Sequence, residues 1–443
     1  MKFRFCHNAF STGRVVCFIV VQLFHFVYCC EANEHIQNCP EEEKGVAMVE
    51  RIQKMLQKES RLCAGVMSGT SLDGLDVAIC RIYHSGHDTR LELVHFETVP
   101  YTAEQRKRLL AACAPETSNV AEICSLNKWM GMFIGESVCD VVRHAKLSLS
   151  ELDFIASHGQ TIYHLPQEGA TLQIGEPADI AAITDCLTLA DFRPSDMAYG
   201  GQGAPLAPFF DWLLCRSDKY NRLLINTGGI ANITALRAGG DIDSLMAFDT
   251  GPANVLSDNL MKLYTGGETA CDMGGALAAG GQISEALHQS MVQEDPFLTL
   301  PPPKTTGREL YTYAYAQKLL LRGQEMGLPF EDILATVTDF SAYAIADSVK
   351  RFLPFTLDEV YQTGGGWHNL FLRERLSKRL GLPVRSLAEL GIDGDAKEAC
   401  FFAIFGNEFL HGRFNNAKSA TGANRNVIMG KLCIPSNLLT EES

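Results

Sequence analysis

A chain of 443 residues is long enough to bury two ordinary cores, and its formal net charge of −14, with no basic stripe, argues against a nucleic-acid partner. The 15 cysteines are scattered, odd in number and form no C-x-x-C pair, which speaks against a zinc ribbon or a disulfide framework. Cys80, Cys124, Cys139 and Cys400 lie in apolar runs, as buried thiols of a reducing compartment do.

At the N-terminus, Lys2, Arg4 and Arg14 precede an apolar run from Val15 to about Cys30, and Glu31 opens an acidic segment. That is the shape of a signal peptide or of a membrane anchor slightly too short to span. It leaves a secretory or membrane location open, against the cytoplasmic setting that the free thiols imply; membrane association follows only if this segment is a retained anchor. Residues 1–58 are therefore set apart as an extension, and a first domain is expected over 60–218.

That domain opens on a run from Gly65 to Cys80 that packs small residues, hydroxyls and two carboxylates into a turn between apolar stretches. Glycine lets backbone N–H groups approach a charged ligand with no side chain in the way. Ser and Thr hydroxyls add phosphate contacts, and a carboxylate can hold Mg²⁺ through water. Gly69, Thr70, Ser71, Leu72, Asp73, Gly74, Leu75 and Asp76 thus read as a nucleotide-phosphate hairpin, with Asp73 or Asp76 serving the metal; the plainer reading is an ordinary hairpin turn. Downstream, Leu91–Val99 alternates as a strand, 103–114 reads as a helix closed by Pro115, and 120–145 as one long amphipathic helix. The stretch 154–161 is a strand ending in polar His158, Gln160 and Thr161, and 188–193 is a second strand end carrying Asp191 and Arg193. Ligands favour such strand ends in α/β sheets. A glycine-rich run from Tyr199 to Pro208 leads to a helix carrying Asp211.

A second domain is expected over 219–395. Strand, glycine turn and strand recur at 223–236, around Gly228 and Gly229, and a strand at 360–363 runs into Gly364, Gly365 and Gly366 ahead of a helix at 370–380. Pro301–Pro303 begin a stiff loop that carries Lys304 and Arg308, which read as contacts for a sugar acid or, by a slight preference, as surface partners of carboxylates, and 333–352 is an amphipathic helix. A final helix, 396–413, returns to the first domain. The Asn-, Ala- and Ser-rich tail, 414–443, reads as loosely ordered.

Two phosphate-type hairpins followed by a strand, a glycine turn and a helix are similar to the layout of the actin and sugar-kinase superfamily. The expected fold class is therefore α/β: two actin-like (RNase H-like) ATPase domains, each a mixed sheet flanked by helices, with the nucleotide and sugar cleft between them. Neither a Walker loop nor a Rossmann glycine fingerprint is present. Nine ordered blocks make the resemblance closer, among them 67–74, 157–161, 173–177, 190–193, 200–206, 226–232, 248–252, 304–309 and 394–399. On these the chain resembles the anhydro-N-acetylmuramic acid kinases from Gly65 to about Phe409.

That resemblance implies opening of a 1,6-anhydro sugar with phosphorylation at O6, using ATP, Mg²⁺ and water. It implies Asp191 as general base, on the face opposite the leaving oxygen as in inverting glycosidases. Arg193, two residues on, would lie on the same side of a strand. His158, Gln160, Thr161 and Arg193 become candidate sugar contacts, with Glu176 and Gln202 weaker ones. Asp339 stands where the family carries a glutamate near sugar and water; Trp367, His368 and Ala253 are further departures. From the residues alone, Asp191 reads more readily as a helix cap or a structural partner of Arg193 than as a base, and His158 equally as a buried, bonded histidine. Levoglucosan-type kinases share the chemistry, and an ATP-dependent interaction protein of the same fold is the reading from another class. The implied partner is a small anhydro-sugar; a homodimer is left open.

Overall fold

A computed structural model describes residues 49–436 except Arg51, Thr70 and Arg308. The signal- or anchor-like segment lies outside the described residues, and among those described no helix is long and apolar enough to cross a membrane.

The first sheet begins with β1 (Ser60–Ser68), buried almost throughout, which pairs antiparallel with β2 (Gly74–Tyr83). β3 (Arg90–Pro100) continues the meander, exposing every second residue as an edge strand does. The helices α1 (Ala103–Cys113) and α2 (Val120–His144) follow. α2 sets Leu126, Met130, Ile134, Val138 and Val141 on one buried face, and Thr102 and Asn119 cap the two helices through their side chains. The chain then returns as β4 (Phe154–Leu165), parallel to β1, with β5 (Ala170–Ile174) folded back on it. After α3 (Pro177–Thr184), β6 (Thr188–Ala190) lies parallel to β4. α4 (Phe192–Ala198) and α5 (Ala207–Cys215) complete the segment. The order is β3-β2-β1-β4-β6.

The second sheet repeats that order with new residues. β7 (Arg222–Thr227), β8 (Ile230–Leu236) and β9 (Met246–Pro252) form an antiparallel meander. Helix α9 (Phe330–Phe352) packs against it, and α6 (Asn254–Tyr264), α7 (Glu285–Glu294) and α8 (Tyr313–Glu325) pack on α9. β10 (Glu359–Thr363) is parallel to β7 and is followed by α10 (Leu370–Leu380) and β11 (Val384–Ser386). The resulting order, β9-β8-β7-β10-β11, matches the first sheet strand for strand. This is the doubled α/β architecture that the glycine turns led one to expect.

α11 (Lys397–Leu410) packs across β1, β2 and β4. One continuous apolar cluster runs from Ala78 and Phe154 through α5 and α11 to Leu224, Leu236 and Tyr361, so the two lobes share buried surface. Upstream, Ile52 and Met55 are buried in the same cluster, which brings part of the segment assigned to the extension into the core.

Two expectations are corrected here. The tail is ordered as far as it is described: α12 (Lys418–Thr421) and β12 (Lys431–Cys433) fold back, and β12 adds an antiparallel edge strand to β6. Its asparagines work as buried backbone partners. Asn415 Nδ2 donates to Phe405 O and Met429 O, both at 3.0 Å, while its Oδ1 accepts from Met429 N at 2.6 Å. Second, Arg193 does not follow Asp191 along a strand. β6 ends at Ala190, Asp191 turns left-handed (φ 55°, ψ 50°), and Arg193 already belongs to α4.

Candidate active site

The parallel strands β1, β4 and β6 end on the same side of the first sheet, and their ends carry the expected residues. The register sets Ser68 opposite Gln160, and the hairpin turn begins at Gly69. Asp191 follows directly on β6, and its φ above zero is rare for a residue with a side chain. The carboxylate makes no capping bond to α4, and its side chain is 35 % exposed, so solvent reaches it. Lys431 Nζ on β12 donates to Asp191 Oδ2 at 2.8 Å.

Arg193 is half-buried and engages other partners. Its Nε donates to His158 Nε2 at 2.9 Å and its Nη1 to Gly203 O at 2.7 Å. His158 Nδ1 lies 3.0 Å from Gly159 O, which fixes the neutral tautomer with the proton on Nδ1. Burial, then the Arg193 charge, push the His158 pKa well below its usual value. Gln160 is equally enclosed: its Oε1 accepts from Ser68 Oγ at 2.5 Å and its Nε2 donates to Thr161 O at 3.0 Å. Thr161 Oγ1 accepts from Gln173 Nε2 at 3.2 Å. These groups brace the strand ends around Asp191, with their polar atoms engaged by protein.

In the phosphate hairpin, Thr70 lies outside the described residues. Ser71 Oγ donates to Asp73 Oδ1 at 2.6 Å, and Thr98 Oγ1 to Asp76 Oδ1 at 2.6 Å. The side chains of Leu72 and Leu75 are buried in the core beneath, so they hold the turn down and only their backbone faces outward. A Cβ on Gly74 would come within 2.7 Å of Thr98 Cγ2, so that glycine admits β3 and not a ligand. A Cβ on Gly69 would meet nothing nearer than 3.6 Å, which leaves room for a bound group.

The second lobe presents two adjoining turns. Thr227 Oγ1 donates to Thr363 O at 3.0 Å and accepts from Gln362 Nε2 at 2.9 Å, tying the ends of β7 and β10 together. Ala253 N and Val255 N donate to Gly229 O, and Asn254 N to Gly228 O, so the start of α6 holds this turn by its carbonyls. Gly228 and Gly229 have open space where a side chain would be, with neighbours no closer than 3.7 and 3.8 Å. Gly364 and Gly366 differ. A Cβ there would come within 2.4 Å of Asn226 Oδ1 and 2.6 Å of Thr227 Oγ1, so these two serve the packing of one turn on the other. Gly365 remains open to a ligand. Beside this turn lies a cavity of about 100 Å³, lined by Gln362, Gly364, Trp367, His368, Ser386 and Asp395 among others, and the Arg373 guanidinium covers the Trp367 ring at 4.4 Å.

Asp395 links the two halves of the site. It lines the second-lobe cavity, and its charge also reaches Asp76 on the first-lobe hairpin. Burial raises the Asp76 pKa, and the charges of Asp73 and Asp395 raise it further. Glu398, one turn on, is likewise raised by its surroundings and by Asp76, against Lys397 and Arg193. Like charges gathered this way are what a bound cation would relieve. Among the described residues no group of three or more His, Cys, Asp or Glu could itself hold a metal.

Other expected residues lie elsewhere. Asp339 is wholly buried in the second lobe, where Arg375 Nε donates to its Oδ1 at 2.6 Å and Arg379 binds both oxygens. Its carboxylate is thereby engaged within that lobe. Lys304 is buried, not at the surface. Its ammonium sits 4.5 to 5.9 Å from the ring centres of Phe297, Phe352 and Phe248 and donates to Phe297 O at 2.9 Å. Arg308 lies outside the described residues. Glu176 caps α3, and Gln202 donates its backbone N–H to Thr421 O. The residues missed from the sequence are Lys431, Asp395 and Glu398. The last two stood in a recognised block, 394–399; a lone tail lysine gave no signal.

With this geometry in place, comparison with known proteins is informative. The family model described as anhydro-N-acetylmuramic acid kinase matches residues 61–435. A protein of that name from Caldanaerobacter subterraneus subsp. tengcongensis is 40 % identical over 397 residues, 87 % of this chain and 100 % of that one. Another of that name, from Bacillus cereus, is 44 % identical over 383 residues, 84 % of this chain and 97 % of its own.

Proposed function

The chain belongs to the anhydro-N-acetylmuramic acid kinase family, and from that premise we propose the part each of its residues plays in opening 1,6-anhydro-N-acetylmuramic acid and phosphorylating O6 at the expense of ATP. It is an anhydro-sugar kinase, whose products are N-acetylmuramic acid 6-phosphate and ADP. In the proposed reaction Asp191 takes a proton from water, whose oxygen bonds to the anomeric carbon as the C1–O6 bond breaks. O6 accepts the phosphoryl group. One carboxylate, open to solvent at a strand end, suits this role, and the placement of Asp191 is the observation that carries the reading.

The open backbone at Gly69, Gly228, Gly229 and Gly365 supports their roles in cradling the nucleotide, with Gly364 and Gly366 setting the shape of the turn. Magnesium neutralises phosphate charge during transfer. Asp73 and Asp76 would hold it through water, as their crowded charges suggest. Arg193 and His158 bond to each other, and an imidazole held neutral with both ring nitrogens engaged does not compete with Asp191 as the base. The free thiols among the described residues support a reducing, cytoplasmic setting. Domain closure over both ligands would exclude bulk water and limit wasteful ATP hydrolysis.

The test is Asp191→Asn. ATP binding by calorimetry stays intact, while turnover falls by about 10³-fold, the loss expected for a missing base. Near-normal turnover removes Asp191 from the mechanism.

A further inference from the structure

The ion pair between Lys431 and Asp191 joins residues 240 apart, and the fold has gone to some length to form it. β12 lies antiparallel on β6 with Lys431 opposite Ala190, so the register delivers the lysine beside the residue that precedes Asp191. The returning chain is fastened to α4, the helix that Asp191 opens. Asp196 Oδ1 accepts from Asn416 Nδ2 at 2.7 Å and from Thr421 Oγ1 at 2.8 Å, and its Oδ2 accepts from Gly203 N at 2.9 Å. Asn416 Oδ1 in turn accepts from Val427 N at 2.7 Å, four residues before the lysine. Helix α4 therefore fixes both members of the pair.

The pair is a poor stabilising device. The Lys431 side chain is 65 % exposed and that of Asp191 35 %, and ion pairs so open to water contribute little to folding. Its geometry is more telling. The ammonium takes Oδ2 and leaves Oδ1 without a protein partner among the described residues. A carboxylate on a short side chain, at a left-handed position and without a capping bond, has no other hydrogen-bond or ion-pair partner among the described residues to hold its rotamer.

We propose that Lys431 is a positioning residue for the reaction: its ammonium holds Asp191 Oδ2, so that Oδ1 faces the water it deprotonates. The C-terminal strand is then part of the catalytic apparatus. This rests on Asp191 being the base, so Asp191→Asn is assayed beside the lysine variants. Lys431→Met lowers kcat by ~10- to 100-fold, the scale of a misplaced catalytic group, with KM for ATP and for the anhydro-sugar changed less than about twofold. Lys431→Arg, which keeps a cation in reach, recovers most of the kcat. Unchanged kcat in Lys431→Met overturns the proposal while the function stands. So does a raised sugar KM with kcat intact, which would make Lys431 a contact for the substrate carboxylate. Loss of kcat that arginine does not rescue overturns it as well. Near-normal turnover in Asp191→Asn instead brings down the base assignment itself.

Discussion

Arg193 Nε, at the start of α4, donates to His158 Nε2 on β4 at 2.9 Å. The bond explains why a histidine beside a proposed base does not compete with it. Burial pulls Arg193 down to about 10, with Glu398 and Asp196 opposing, so the guanidinium stays charged at neutral pH and faces an imidazole held neutral. An arginine that a strand would have turned toward the sugar becomes, on the helix, a clamp on the floor of the site.

This arrangement gives stability a direction with pH. His158 is well below its usual pKa when folded, because burial disfavours its charged form. The unfolded chain takes up a proton near 6.5, which the folded chain refuses, so stability is full above about pH 6.5 and is lost as pH falls toward the depressed folded value. His164, His288 and His411, also lowered mainly by burial, act in the same sense. Thermal midpoints followed from about pH 7.5 to 5.5 should decline, and His158→Gln should flatten the slope. An equal slope in that variant would show that His158 is not a source of it.

Lys304 should matter to folding more than to charge at the surface. Its ammonium is enclosed by Phe248, Phe297 and Phe352 and satisfies two carbonyls, those of Phe297 and Leu298. Lys304→Ala leaves those acceptors dry and opens a void, at a cost of about 2–4 kcal/mol. Lys304→Met fills the void and should cost less. Urea unfolding of both variants gives the comparison; equal midpoints with the parent would contradict the buried cage.

Asp339 supplies the charge that two arginines need. Burial works to raise its pKa, but the hydrogen bonds and charges of Arg379 and Arg375 outweigh that and hold the carboxyl below its ordinary range. Removing one member of a buried ionic group costs about 3–5 kcal/mol, and Asp339→Ala should show a loss of that order by denaturant unfolding. Its contribution is present above about pH 4 and fades as acid protonates the carboxylate. A variant as stable as the parent would place the two guanidinium groups elsewhere.

The glycine turns were legible because each demands a residue type locally, and α2 and α10 were legible from apolar spacing. The composition of the tail misled because asparagine marks loops in water yet satisfies backbone groups when buried, as Asn415 and Asn416 do. Asp339 and Lys304 gave no local sign of their partners, Arg375, Arg379 and Phe248, which lie tens of residues away. Lys431 depends on a strand pairing 240 residues from Asp191, a tertiary fact with no periodicity to announce it.

The central claim is that solvent oxygen enters the sugar while O6 takes the phosphate. Mass spectrometry of the products formed from 1,6-anhydro-N-acetylmuramic acid and ATP in ¹⁸O-water, quenched early and compared with product incubated alone to correct for exchange, tests it directly. The account predicts one heavy oxygen on the anomeric carbon of the product and none in its phosphoryl group. Heavy oxygen in inorganic phosphate, with the anhydro bond intact, would contradict it.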